Sequence, residues 1–269
     1  KWKNEAAVIW NNVGCYKIDE GLRDRFDDEI ARWIEEGWLT EVHSVEGGTI
    51  PLMAVDQPNK NKVRPVLDFR ELNKFVKCHT GQSEVCGETM RRWRMMGKDV
   101  VMLDLKNAYL QLHVDKDLWQ YQRVRYNNKT YNLTRLGFGL NVAPKIMSCV
   151  LRKVLSLRRD IAGATDSYID DIILDQSKVS ADEVVKLLAE YGLITKPIEQ
   201  FDSARVLGLQ IGKGRICRQW GRGNDLTASD FKEKTTRRQL FSLCGKFLGH
   251  YPIASWLRVA CEFVKRHSG

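Results

Sequence analysis

The stretch that most constrains this 269-residue chain is Ser167-Tyr168-Ile169-Asp170-Asp171-Ile172-Ile173-Leu174. Two adjacent carboxylates sit there inside a run of residues with strong strand preference. In an extended strand neighbouring side chains point to opposite faces, so Asp170 and Asp171 could not serve one site. At the tip of a tight hairpin they could. Two anions held that close repel, and each resists ionisation unless a cation or a donor lies nearby. A hard divalent metal, which prefers oxygen ligands, is one such partner. A solvated turn is the alternative, since an isolated Asp-Asp is common there.

A second stretch weighs against the solvated turn. Val100-Val101-Met102-Leu103-Asp104-Leu105 is an apolar run long enough for a buried strand. A charge in a buried strand needs a partner, and a metal shared with Asp170 and Asp171 would supply one for Asp104. Three carboxylates brought together from a strand and a hairpin form the frame of a two-metal phosphoryl-transfer site, with the ions roughly 3.5–4 Å apart.

Asp104-Leu105-Lys106-Asn107-Ala108-Tyr109 and Tyr168-Ile169-Asp170-Asp171 resemble two signature motifs of reverse transcriptases, particularly those of LTR retrotransposons and retroviruses. Val63 through Asn73, with Asp68-Phe69-Arg70-Glu71-Leu72-Asn73, resembles the family's fingers motif, and Leu136 through Pro144 its third motif in the retrotransposon form. The resemblance implies two Mg²⁺, with Mn²⁺ as an alternative, on Asp104, Asp170 and Asp171, with Leu105 beside them. It implies that Arg64 grips the triphosphate of an incoming dNTP, a task suited to planar paired donors; the alternative is a surface arginine balancing Asp68. Lysine is frequent in the family seven positions before that arginine; here the position is Gln57, and Lys60 or Lys62 is expected to substitute. Tyr109 matches the steric gate, whose ring excludes a ribose 2′-OH by clash, with Ala108 next to it. Phe138, where retroviral enzymes carry glutamine, is implied to contact the sugar, and Gly139 to support the templating base. Lys196 matches a lysine that can protonate the leaving pyrophosphate; a solvated lysine is the plainer reading.

The formal charge of +9 is unevenly spread. Residues 17–46 hold ten acids and four bases, whereas 212–269 hold twelve bases and four acids. A basic C-terminal section is expected to face phosphates. Seven cysteines without a Cys-x-x-Cys pair favour reduced thiols over a disulfide framework. No apolar run approaches the ~20 residues that span a bilayer, and no membrane partner is expected. A chain opening on Lys1 is expected to be cut from a longer polypeptide.

Apolar spacing predicts helices over Leu22–Ile34, Ile146–Leu157, Ala181–Tyr191, and two near the C-terminus. The first of those two carries Leu240, Leu243, Cys244, Phe247 and Leu248 and is ended by Gly249 and Pro252; the second carries Trp256, Leu257, Ala260, Phe263 and Val264. Tyr121–Val124 and Thr130–Leu133 read as a hairpin turned by Asn127-Asn128, and Val206-Leu207-Gly208-Leu209 resembles the start of the family's primer-grip hairpin. Arg91-Arg92-Trp93-Arg94 interleaves base and aromatic, as a nucleic-acid contact would; the exposed face of a helix ending at Gly97 is the plainer reading. The fold class expected from the resemblance is α+β, a right-hand polymerase with an antiparallel palm sheet backed by helices and a helical thumb. Its fingers would be 1–79 and 112–143, its palm 80–111 and 144–211, and its thumb 212–269. Arg237, Arg238, Lys246, Arg258 and Tyr168 are then expected to contact template and primer. The implied act is DNA synthesis from dNTPs on RNA or DNA. The alternatives are a catalytically silent, domesticated nucleic-acid-binding remnant, and an RNA-templated RNA polymerase with a similar palm. Partner segments of the same polyprotein (protease, RNase H, integrase) and a cytoplasmic virus-like particle, or the nucleus, follow from the same resemblance.

Overall fold

The computed structural model describes residues 2–3, 15–43, 48–58, 61–79, 85–206, 209–213, 218–221, 236–248 and 256–267. In chain order the helices are α1 (Glu20–Glu35), α2 (Arg70–Phe75), α3 (Val85–Met95), α4 (Ala143–Leu155), α5 (Arg159–Ala164), α6 (Ala181–Glu190), α7 (Arg237–Leu248) and α8 (Leu257–His267). The strands are β1 (Leu39–Val42), β2 (Leu52–Gln57), β3 (Lys62–Leu67), β4 (Val100–Asp104), β5 (Arg123–Tyr126), β6 (Lys129–Leu133), β7 (Thr165–Tyr168), β8 (Asp171–Asp175), β9 (Glu199–Gln200), β10 (Arg205–Val206), β11 (Leu209–Lys213) and β12 (Arg218–Gly221). All pairings between these strands are antiparallel. The chain is thus a mixed α and β fold, and it divides into two compact units.

The first unit comprises Lys1–Gly81, Leu105–Leu155 and Lys186–Ile194. Phe26, Ile30 and Trp33 recur at helical spacing and are fully buried along α1. Gly37, at φ 67°, ends the helix. Its N–H donates to Ile34 O and the next N–H, of Trp38, to Trp33 O, so carbonyls of the last turn are satisfied. The indole rings of Trp33 and Trp38 then meet at 6.2 Å, the apolar contact such an ending favours. The β2–β3 hairpin pairs Leu52 with Leu67 through Gln57 with Lys62. A three-stranded sheet runs β1-β6-β5, its β5–β6 turn made by Asn127 and Asn128, both at positive φ. Asparagine tolerates that region, which is why the pair makes a tight hairpin there. Strand β5 begins only at Arg123, because Lys116–Gln122 winds as 3₁₀ turns rather than extending from Tyr121.

The second unit comprises Gln82–Asp104, Ser156–Val185 and Thr195–Gly269. Its sheet has the order β7-β8-β4-β9. Ile172, Ile173 and Leu174 on β8 are all fully buried, as is Leu103 on β4. A strand buried on both faces reads as a continuous apolar run rather than an alternating one. Trp93, Val100, Met102, Ile173, Phe201, Val206 and Ile211 pack into one cluster on this unit. Trp93 of α3 donates its indole N–H to Asp166 at 2.9 Å and Arg92 donates to the same carboxylate at 2.8 Å. The Arg91–Arg94 run is therefore built into the fold through two of its members.

The two C-terminal helices form where the periodicity places them, but α8 is rotated from the expected stripe. Cys261 is buried and Leu257 and Val264 are half-buried, while Trp256 is 68% and Phe263 63% exposed. Across the α7–α8 pair Cys261 and Cys244 are both buried, and the Cys261 thiol donates to Cys244 O. Gly249 and Pro252, expected to end α7, lie outside the described residues, as do Leu207 and Gly208.

Candidate active site

The second unit holds the acidic cluster. Strands β4 and β8 pair from Val100 with Asp175 to Asp104 with Asp171. Residues directly opposite in an antiparallel ladder have Cα atoms about 4.5–5.5 Å apart and side chains on one face. Asp104 and Asp171 are such a pair. Tyr168 and Asp171 are also partners, across the β7–β8 ladder, so Ile169 and Asp170 form a two-residue turn. Ile169 has φ 58°, and Asp170 is not among the positive-φ residues. That pattern is a II′-type hairpin, in which the first position normally takes glycine. A β-branched residue there is strained by roughly 1–3 kcal/mol. Asp170 thereby leaves the strand alternation that would otherwise set it on the face opposite Asp171.

Burial pushes the Asp171 carboxyl up to about 7, and the charges of Asp170 and Asp104 push the same way. Lys196 opposes them and Glu199 adds to them. Lys196 is tied to Asp104 twice: its main-chain N–H donates to Asp104 O at 2.7 Å, and its ammonium pairs with Asp104 Oδ2. Glu199 reaches the neighbourhood because β9 pairs Glu199 with Met102, two residues before Asp104. Sequence reasoning missed Glu199, and no motif marks it.

A hard divalent cation suits this set by donor type, since carboxylate oxygens are its preferred ligands. The raised Asp171 carboxyl marks a place short of positive charge. Among the described residues, however, no three His, Cys, Asp or Glu side chains stand close enough together to hold an ion as placed. Lys196 pairs with Asp104 Oδ2, and the charges of Asp104 and Asp170 both raise the Asp171 carboxyl. The β4–β8 register nonetheless sets Asp104 and Asp171 on one face, and their oxygens are the donor type such a cation takes.

The first unit holds the other expected contacts. Arg64 is exposed on β3, with its guanidinium carbon 5.7 Å from the centroid of the Phe138 ring. The Tyr109 ring meets the same Phe138 ring edge-on, at 4.8 Å and 87°. Tyr109 sits on a 3₁₀ turn, Ala108–Gln111, entered through Asn107 at φ 51°. Leu105 and Ala108 are buried, so only their main chains remain to offer a ligand. Asp68 pairs with Arg70 and accepts from Tyr16, and is not the partner of Arg64. Arg70 holds the Asp68 carboxyl well below the usual carboxylate range, helped by Tyr16 and opposed by burial. Lys62 is exposed at the start of β3; Lys60 lies outside the described residues.

The loop after β6 is held tightly. A Cβ on Gly137 would fall 2.4 Å from Phe69 Cζ, and one on Gly139, at φ 101°, would fall 3.1 Å from Leu67 O. Only glycine fits either place without movement. Asn73 clasps the same loop: its Nδ2 donates to Gly139 O and its Oδ1 accepts from Asn141 N–H, both at 2.9 Å. Asn73 lies in the quoted fingers motif, yet its role was invisible until the two segments met.

Tyr168 is half-buried against the cluster around Trp93. Arg237, Arg238 and Lys246 on α7 and Arg258 on α8 are exposed. Arg237 and Lys265 both stand over the Phe241 ring, at 5.5 and 5.9 Å. No described helix is long and apolar enough to cross a membrane.

Residues 236–269, which contain α7 and α8, match the model of a domain of unknown function, DUF7047. The chain is 24% identical over 196 residues to the uncharacterized protein K02A2.6 of Caenorhabditis elegans, covering 71% of this chain and 15% of that one. Two solved structures are similar. One is the foamy viral protease-reverse transcriptase dRH in complex with double-stranded DNA, at TM-score 0.72 and 21% identity over 92% of this chain and 43% of that one. The other is the foamy viral protease-reverse transcriptase with double-stranded DNA, at TM-score 0.68 and 21% identity, covering 91% and 50%. The chain thus spans half or less of each of these proteins, and it shares the fold of the two viral structures.

Proposed function

We propose that the chain is the polymerase portion of a retroelement reverse transcriptase, with fingers, palm and thumb, that makes DNA on an RNA or DNA template. The observation that carries this reading is the register pair Asp104–Asp171 beside the strained Tyr168–Asp171 turn. The shared fold with the foamy viral structures supports it, as do the motifs quoted above.

In the reaction the primer 3′-hydroxyl gives its proton to solvent and its oxygen attacks the α-phosphorus of a dNTP; the bond to the β-phosphate oxygen breaks and pyrophosphate leaves. Asp104, Asp170 and Asp171 would hold two Mg²⁺, which lower the pKa of the attacking hydroxyl and neutralise charge on the phosphates. Arg64 binds triphosphate oxygens through paired guanidinium donors. Tyr109 excludes the 2′-OH, and Lys196 gives a proton to the departing pyrophosphate. Arg237, Arg238, Lys246 and Arg258 bind backbone phosphates of the primer–template, which positions the duplex without reading its sequence. Protease, RNase H and integrase segments of a polyprotein, working in a cytoplasmic particle, are the partners this role calls for.

Extension of oligo(dT) on poly(A) by the purified chain, with Mg²⁺ and dTTP or UTP, tests the reading. Mg²⁺-dependent extension that prefers dTTP is expected. Binding without extension makes the chain a silent remnant, and equal use of UTP makes it an RNA polymerase.

A further inference from the structure

We infer that Phe138 is a positioning residue that couples sugar choice to triphosphate affinity, because one ring braces both the Tyr109 gate and the Arg64 guanidinium. The inference rests on the nucleotide-binding reading of this cluster and assigns Phe138 a task other than touching the sugar. Tyr109 meets the ring edge-on at 4.8 Å, the arrangement aromatic quadrupoles favour. Arg64 lies 5.7 Å from the same centroid, within cation–π range. Arg64 is on a hairpin strand and Tyr109 on a 3₁₀ turn, and the Phe138 ring contacts both.

The brace is held on both sides. Gly137 N–H donates to Gln122 Oε1 at 3.1 Å, and the Gln122 amide donates in turn to Leu133 O and Arg135 O. On the other side Asn73 clasps Gly139 and Asn141. Phe69 and Leu67 leave no room for a side chain at 137 or 139. A ring flanked this way cannot follow a displaced partner, so it sets the partners' positions instead.

The consequence separates a brace from a simple sugar contact. Removing the ring should loosen the gate and the phosphate grip together, whereas Tyr109→Val should alter sugar choice alone and Arg64→Ala phosphate affinity alone. The test measures kcat and KM for dTTP and UTP on poly(A)–oligo(dT). It compares wild type, Tyr109→Val, Arg64→Ala, Phe138→Leu, Phe138→Tyr, and Phe138→Leu combined with Tyr109→Val. Phe138→Leu is expected to raise KM for dTTP and to lower the dTTP/UTP preference, each by about two- to tenfold, with kcat for dTTP little changed. Phe138→Tyr keeps the ring and should restore both values. In the double variant sugar preference should fall no further than in Tyr109→Val. If Phe138→Leu does not fold, Phe138→Met, equally ringless, takes its place. Wild type that extends, with a ringless variant that leaves KM and preference unmoved or losses that add in the double variant, overturns the brace alone. A wild type that neither extends nor binds dTTP overturns the nucleotide reading and the brace with it.

Discussion

Asp104 and Asp171 face each other across the β4–β8 ladder, although 66 residues of chain lie between their numbers. Two carboxylates on one face, one of them held up to about 7 by burial and by its acidic neighbours, work against folding in the absence of a cation. Asp171→Asn keeps the shape and removes one charge. The metal-free variant should melt at or above wild type, with a gain on the order of 1 kcal/mol, while DNA synthesis is lost. A lower midpoint in calorimetry would show that the carboxylate is needed for the fold itself.

The turn makes a separate claim. Ile169 occupies a left-handed position that glycine takes without strain. Ile169→Gly releases roughly 1–3 kcal/mol of strain and gives back about 0.5–1 kcal/mol through a more flexible unfolded chain. The variant should therefore unfold at equal or higher denaturant than wild type. A clear loss of stability would mean that the Ile169 side chain contributes more by packing than its backbone costs.

Asp68 governs a pH effect in the other unit. Arg70 and Tyr16 depress its carboxyl pKa, so its contribution to stability is present above the unfolded value, about pH 4, and is lost as pH falls through the lower folded value. Wild type should lose thermal stability on acidification below about pH 4 more steeply than Asp68→Asn, which has no such group to protonate. Identical slopes for the two proteins would remove Asp68 from the acid response.

Much of this was legible in the sequence, and particular residues show why the rest was not. Asp104 could be singled out because an apolar run interrupted by a carboxylate is unusual whatever the fold, and the β4–β8 register then sets it opposite Asp171. The Asn127-Asn128 turn was found because its residues state their own backbone conformation. The Lys196–Asp104 pair and the approach of Glu199 depend on how β9 docks on β4, and no local pattern records that register. Helical period located α8 but not its rotation, since which face is buried depends on how α8 meets α7, with Cys261 against Cys244. The clasp by Asn73 is a tertiary contact between two motifs, readable only when both are in place.

That clasp carries its own expectation. Asn73→Ala removes two hydrogen bonds that fix the loop bearing Phe138, each of about 0.5–1.5 kcal/mol. The KM for dNTP should rise about three- to tenfold, with duplex binding unchanged as measured by fluorescence anisotropy. An unchanged KM would leave the loop held by Gln122 and the packing around Gly137 and Gly139 alone.

The proposed role of the carboxylates is tested most directly by Mn²⁺ binding, followed by electron paramagnetic resonance, with primer–template and a non-hydrolysable dNTP present. Two bound ions per wild-type chain are expected, and their loss when Asp104→Asn and Asp171→Asn are combined in a protein that still folds and binds duplex. Equal Mn²⁺ uptake by the wild type and the double variant would contradict the assignment of these carboxylates as the metal site.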